Sequence, residues 1–172
     1  MALHSLLLRA MKKLCEKIQS IGLSVFNELG AGFDENVHQL GIGIELRAAK
    51  IKYLRETNIE IFYKKHPVGL DRPDFILFPN KKTLGFDQPV FLECKMGEKI
   101  DDASRQQLKT YLKSAPLNSN PNISNISMGI LLHFQKKESF NENISRKPKD
   151  PVSVECWRYD KKSDSIKKVF SF

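Results

Sequence analysis

The sequence predicts an α/β fold: a mixed central sheet flanked by helices, with a β-hairpin extension at the C-terminus. Three observations lead there. A long opening stretch repeats its apolar residues at helical spacing. Short runs rich in β-branched and aromatic residues, at 59–64, 72–78, 90–96 and 128–134, read as strands, and helical segments fall between and before them. With 172 residues the chain has room for one ordinary domain with a full hydrophobic core. Residues 1–172 are read as that single domain, with a core over about 14–134 and an extension over 135–172.

Leu7, Met11, Leu14, Ile18, Ile21 and Val25 recur at helical spacing, so the first helix is expected over 3–29. Gly30 and Gly32 end it, because glycine adopts the left-handed conformation that closes helix C-termini. Asp34 caps a second helix, whose buried stripe is expected to be Val37, Leu40, Ile44, Ala48 and Ile51. Glu35 falls off that stripe, on the flank with His38, Gln39 and Ile42. Three strands follow, at 59–64, 72–78 and 90–96, the last two joined by a turn over 80–89. Asp101 or Asp102 opens a helix to about 113, ended by Ala115 and Pro116. Beyond a polar loop at 118–125, the run 128–134 is a buried strand. Residues 135–150 are rich in Lys, Glu, Asn and Pro and read as an exposed loop. The segments 152–159 and 166–170 read as a hairpin, placed to extend the sheet, form a dimer edge or touch nucleic acid.

The most informative residues lie on two of these strands. Asp74 stands in Arg72-Pro73-Asp74-Phe75, and Glu93 and Lys95 stand in Val90-Phe91-Leu92-Glu93-Cys94-Lys95-Met96. Side chains alternate along a strand, so Glu93 and Lys95 share one face while Leu92, Cys94 and Met96 take the other. Two charges on one face of a nearly apolar strand are costly unless paired. A divalent cation held by Asp74 and Glu93, with Lys95 beside it, supplies the pairing. The plain alternative is a Glu-Lys surface pair on an edge strand.

Composition bounds the function class. A formal net charge of +8, from 28 basic and 20 acidic side chains, suits a polyanionic partner. Cys15, Cys94 and Cys156 are widely separated and lack CxxC spacing, which argues against a disulfide framework and a zinc site and for an intracellular, reducing compartment, cytoplasm or nucleus. The opening residues have too short an apolar stretch for a signal peptide, and no segment approaches a membrane span. The lack of acids before Glu16 also suits a transit peptide, but the periodicity favours an amphipathic helix. No Gly-rich phosphate loop supports an ATPase, and no cofactor pattern supports a small-molecule enzyme.

Pro73-Asp74 and Glu93-Cys94-Lys95 match the Pro-Asp…(Asp/Glu)-X-Lys signature, and the chain resembles the PD-(D/E)XK, restriction-endonuclease-like nucleases. Gly32, Glu35 and His38 stand on the positions of the GxxExxY motif of one branch, with His38 where that branch usually has Tyr. Gln107 and Tyr111 are similar to the QxxxY element of the RecB-like and lambda-exonuclease-like branches. The resemblance runs from about residue 18 to residue 134, with the motifs in order.

The resemblance implies a restriction-endonuclease-like core and hydrolysis of phosphodiester bonds in nucleic acid, DNA in preference to RNA, with Mg²⁺ or Mn²⁺. Magnesium takes oxygen ligands and keeps several waters, so Asp74, Glu93 and the main-chain carbonyl of Cys94 suffice as ligands. Lys95 then positions the attacking water or helps deprotonate it. The motif puts Glu35 at the same site, as a ligand or through a bound water. Gln107 and Tyr111, four apart on one helix face, fall near the metal and the substrate phosphate. Lys64, Lys65, Lys81 and Lys82 are candidate phosphate contacts, against the ordinary reading of basic loops as solvated. Glu45 either approaches the cleft or pairs with a lysine, and His38, His66 and His133 read as structural. Exonuclease and junction- or flap-directed endonuclease action both stay open, as do a homo-oligomer and a protein complex. The rival reading is a catalytically weak nucleic-acid-binding module of the same fold in a repair or defence complex. Retention of Asp74, Glu93 and Lys95 together speaks against it.

Overall fold

The computed structural model describes residues 2–136 and 150–172. In chain order the elements are α1 (Ala2–Leu29), α2 (Glu35–Ala48), β1 (Lys52–Arg55), β2 (Ile59–Tyr63), β3 (His66–Asp71), β4 (Phe75–Phe78), α3 (Lys81–Leu84), β5 (Val90–Gly97), α4 (Asp102–Ser114), a 3-10 turn (Ala115–Leu117), α5 (Pro121–Ser124), β6 (Met128–Gln135), β7 (Val152–Asp160) and β8 (Ser165–Ser171). Six strands form one mixed sheet in the order β1-β4-β5-β6-β7-β8, and β2 and β3 pair separately. Within the six-stranded sheet only β5 and β6 run parallel. A parallel pair needs a crossover, which α4, the 3-10 turn and α5 provide.

Both faces of the sheet are covered, which is why its central strands read as apolar runs. Met11, Leu14, Cys15, Ile18 and Val25 of α1 cover one face, against Leu92, Cys94, Ile130, Leu132 and Phe134. Leu108, Tyr111 and Leu112 of α4 cover the other, against Ile76, Phe91 and Leu131. A Cβ on Gly129 would fall 2.6 Å from Leu108 Cδ1, so the absence of a side chain there lets α4 sit down on β6. The C-terminal hairpin extends the sheet, β7 pairing with β6 and β8 with β7.

Three expectations need correction. The stripe expected to be buried on α2 faces outward: Leu40 is 50% and Ile44 58% exposed, Ala48 is exposed and Val37 half-buried, and Ile51 alone is buried. The core takes the opposite face, with His38, Gln39, Ile42, Gly43 and Leu46, because that face carries Glu35 to β5. Two strands escaped the sequence reading: β1 is four residues long, and β3 contains Pro67 and Gly69 and is exposed throughout. The 59–64 strand belongs to the small β2-β3 sheet, not the main one, and the 80–89 turn contains α3. Most of the loop expected over 135–150 lies outside the described residues.

Candidate active site

β4 pairs with β5 only as far as Phe75 opposite Leu92. From Glu93 onward that edge of β5 has no strand beside it, and two carboxylates take the place of the missing ladder. The Cys94 amide donates to Asp74 Oδ2 at 2.7 Å, and the Met96 amide donates to Glu35 Oε2 at 2.9 Å. In an extended strand the N–H and C=O of one residue point the same way. The Cys94 carbonyl therefore faces the same open edge, between the two acids. Asp74 is steadied from behind, since its own carbonyl accepts the Glu56 amide at 3.1 Å, and Pro73 before it is buried.

The Glu93 side chain is only 1% exposed, and its Oε1 has no hydrogen-bond partner. Lys95 Nζ lies 3.7 Å from Oε2, the strand alternation having put both on the α4 side. Burial, and then the Asp74 carboxylate beside it, push the Glu93 carboxyl up to about 9, with Lys95 and Tyr111 only partly opposing. Burial also raises Glu35, against the pull of Lys95 and the Met96 amide. Burial alone would lower Lys95, but Glu93, Glu35 and Asp74 outweigh it and hold the ammonium above the ordinary lysine range. Three acids thus crowd one cation, with one carboxylate oxygen left over.

Tyr111, wholly buried on α4, donates its hydroxyl to Asp71 Oδ2 at 3.0 Å and accepts from Gln107 Nε2 at 2.7 Å. Burial, the nearby Glu93 charge and the bond to Asp71 all raise the Tyr111 hydroxyl. Asp71 was missed in the sequence, although it stands three residues before Asp74, because β3 did not read as a strand. Among the described residues no three His, Cys, Asp or Glu side chains are gathered into a ready-made metal cluster. The acids stand as an Asp74-Glu93 pair, with Glu35 one amide further along the strand.

The other candidates fall away from this centre. His38 is buried, with Nε2 2.8 Å from the Gly30 carbonyl and Nδ1 3.3 Å from that of Asp34, so it ties the left-handed Gly30 turn to α2. Lys64 and Lys65 form the tip of the β2-β3 hairpin, both with positive φ. Lys81 and Lys82 open α3, beyond the end of β4 away from Asp74, where Lys81 pairs with Asp87. His133 sits beside Lys95 in the parallel ladder, with Ser153 Oγ 3.4 Å from its Nδ1.

A model of the PD-(D/E)XK nuclease superfamily matches residues 12–147. The chain belongs to that superfamily. No curated protein and no solved structure matches it. The PD-(D/E)XK core of this chain is bound to the β7-β8 hairpin, beyond the matched residues, by a buried acid. Glu155 on β7 accepts from Arg105 Nε at 3.0 Å, Arg105 Nη2 at 2.9 Å, Trp157 Nε1 at 3.1 Å and Lys168 Nζ at 3.2 Å. Arg105 lies two residues before Gln107 on α4, so the hairpin fixes the helix that carries Tyr111. Among the described residues no helix is long and apolar enough to cross a membrane, and the three cysteines are free and buried.

Proposed function

We propose that this PD-(D/E)XK protein is a divalent-metal-dependent nuclease that hydrolyses phosphodiester bonds, in DNA in preference to RNA. The observation that carries the reading is the orphaned oxygen of Glu93, buried beside Asp74 with Lys95 at 3.7 Å. An ionised carboxylate in that position shares its one counter-charge, Lys95, with Glu35 and Asp74, and a cation would make up the shortfall. The donor set fits Mg²⁺ or Mn²⁺, which accept hard oxygen ligands, need one or two carboxylates and keep several waters. Asp74, Glu93 and the Cys94 carbonyl are the proposed direct ligands. Glu35, already bonded to the Met96 amide, acts through a bound water. A bound divalent cation supplies charge stabilisation at the phosphoryl and leaving oxygens and makes water a better nucleophile.

The chain's own residues do the rest. Lys95, held protonated by the three acids, orients the attacking water and offsets charge on the phosphoryl oxygens. Gln107 lines the α4 side and holds the substrate phosphate in position, and the buried Tyr111, bonded to Asp71, fixes Gln107 from behind. Glu35 following the glycine turn that His38 fastens supports a place in the GxxExxY branch, and the Gln107-Tyr111 bond supports the QxxxY element. That element favours exonuclease action, with structure-directed endonuclease action as the other mode.

Purified protein is to be incubated with end-labelled single-stranded, duplex, flapped and four-way-junction DNA and RNA, with and without Mg²⁺ or Mn²⁺. Metal-dependent cleavage is expected, and the product ladders separate stepwise from internal cutting. Binding without cleavage under every condition would overturn the nuclease reading.

A further inference from the structure

Helix α2 has an apolar face that none of the described residues covers. Phe33, just ahead of the helix, and Val37, Leu40, Ile44 and Ala48 recur every three or four residues, which aligns them in one stripe. The stripe lies about half a turn from His38, Gln39, Ile42 and Leu46, the residues the core buries. Phe33 is 49% exposed, matching Leu40 and Ile44. Single exposed apolar residues are ordinary, but a continuous stripe the length of a helix marks an interaction surface.

The charges around the stripe say what fits it. Asp34 stands at its N-terminal end, and Arg47, Lys50 and Lys52 stand at its C-terminal end. The Asp34 side chain makes no capping bond, and among the described residues neither Asp34 nor Lys50 forms an ion pair. An antiparallel copy of the same helix, centred so that Leu40 opposes Ile44, brings Asp34 of each copy to Lys50 of the other and opposes the two helix dipoles. The same register sets Phe33 against Ile51. There the surface has a cavity of ≈ 650 Å³ lined by Arg47, Lys50, Ile51, Lys52 and Tyr53. Buried Ile51 and the aliphatic stems of the basic residues suit an aromatic ring.

We propose that two copies of this chain associate through the outer faces of α2, antiparallel about a twofold axis between Leu40 and Ile44. Phe33 of each copy seats in the cavity beside Ile51 of the other. One helix face and one aromatic ring make a smaller contact than the roughly 800 Å² per partner of a standard interface, so the dimer is reversible, with a dissociation constant on the order of micromolar.

The test is sedimentation velocity of the full chain over a concentration range bracketing that constant, a readout independent of cleavage. The mass is expected to rise from monomer to dimer. Leu40→Glu combined with Ile44→Glu is expected to stay monomeric with an unchanged melting temperature. Asp34→Lys and Lys50→Asp alone each weaken association about tenfold, because the twofold axis repeats the pair. Combined in one chain, they restore it. A monomer at every concentration, a dimer indifferent to the Leu40 and Ile44 changes, or failure of the reversed pair to restore association overturns the proposal.

Discussion

Asp74 and Cys94 are joined by one 2.7 Å bond, from the Cys94 amide to Asp74 Oδ2, across the gap where β4 and β5 part. An asparagine oxygen can accept the same bond, but it cannot carry the charge. Asp74→Asn is therefore expected to melt within a few degrees of the parent protein and to lose nearly all cleavage, whereas Asp74→Ala loses both the bond and the activity. Thermal unfolding beside initial rates checks this. Cleavage at the parental rate in Asp74→Asn would remove Asp74 from the mechanism.

Glu93 makes stability depend on pH in a definite direction. Its carboxyl is raised from 4.5 to about 9, so the folded state holds a proton that the unfolded chain releases. That contribution is complete below about pH 4.5 and is lost as the pH rises through 9. Without metal, Glu93→Gln is expected to melt higher than the parent at pH 8, with the gap closing toward pH 5, and to cleave nothing. Mg²⁺ or Mn²⁺ should raise the parent's Tm more at pH 8 than at pH 5.5, and Glu93→Gln much less. Identical melting of the two proteins across this range would contradict the burial argument.

The bond between Tyr111 and Asp71 predicts a graded loss. Tyr111→Phe keeps the ring in the core but frees both Asp71 and Gln107. Its cleavage rate is expected to drop about tenfold while the metal concentration for half-maximal rate stays put. Asp71→Asn, which can still accept the hydroxyl, should lose less. A changed metal midpoint in Tyr111→Phe would instead place the residue among the groups that hold the ion.

Glu155 concerns stability before activity. Three of its four bonds come from Arg105 and Lys168, both partly open to solvent, and the fourth from Trp157, so Glu155→Ala is expected to cost about 2–3 kcal/mol, a drop in Tm of roughly 5–10 °C. Although burial would raise it, Arg105, Lys168 and Trp157 hold the carboxyl below its ordinary value of 4.5. The network therefore stabilises above that pH and is lost below it. Urea titrations at pH 7 and pH 3.5 should show the difference between parent and variant shrinking at the lower pH.

The two lysine pairs separate by position. Lys64 and Lys65 project at the tip of a hairpin whose other end, Asp71, is bonded to Tyr111, while Lys81 and Lys82 lie past the far end of β4. With Ca²⁺ in place of Mg²⁺, Lys64→Ala with Lys65→Ala should flatten the salt dependence of DNA binding by up to about two phosphate contacts. Lys81→Ala with Lys82→Ala should leave it unchanged. The reverse result would put the phosphate track on the α3 side.

The shared face of Glu93 and Lys95 was legible because a strand's period of two assigns a face to every residue once the strand is found. The same logic separated Cys94 from Glu93 correctly. Helix α2 was different, since it has apolar residues on two opposite faces and periodicity alone cannot say which one the core takes. Lys81 and Lys82 precede Glu93 closely in sequence, yet they follow β4 while Asp74 precedes it, so chain order alone puts them at the end of that strand away from the acid. Glu155 meets Arg105 across 50 residues, and Asp71 meets Tyr111 across 40, distances over which a single sequence carries no pairing signal.

The parting of β4 and β5 after Phe75 and Leu92 sets different tolerances for two neighbouring stretches of chain. Residues 80–89 connect the strands at the far end, with Leu84 and Phe86 buried and Asp87 and Gln88 exposed, so insertions at Asp87 and Gln88 lengthen a surface stretch and leave the pairing of Leu77 with Val90 intact. One residue inserted between Val90 and Glu93 would instead turn Glu93 and Lys95 onto the α1 face and Cys94 toward Tyr111. Length variation in this protein is thus confined by strand parity: the connection can grow residue by residue at Asp87 and Gln88, while the strand admits no single-residue change before Lys95.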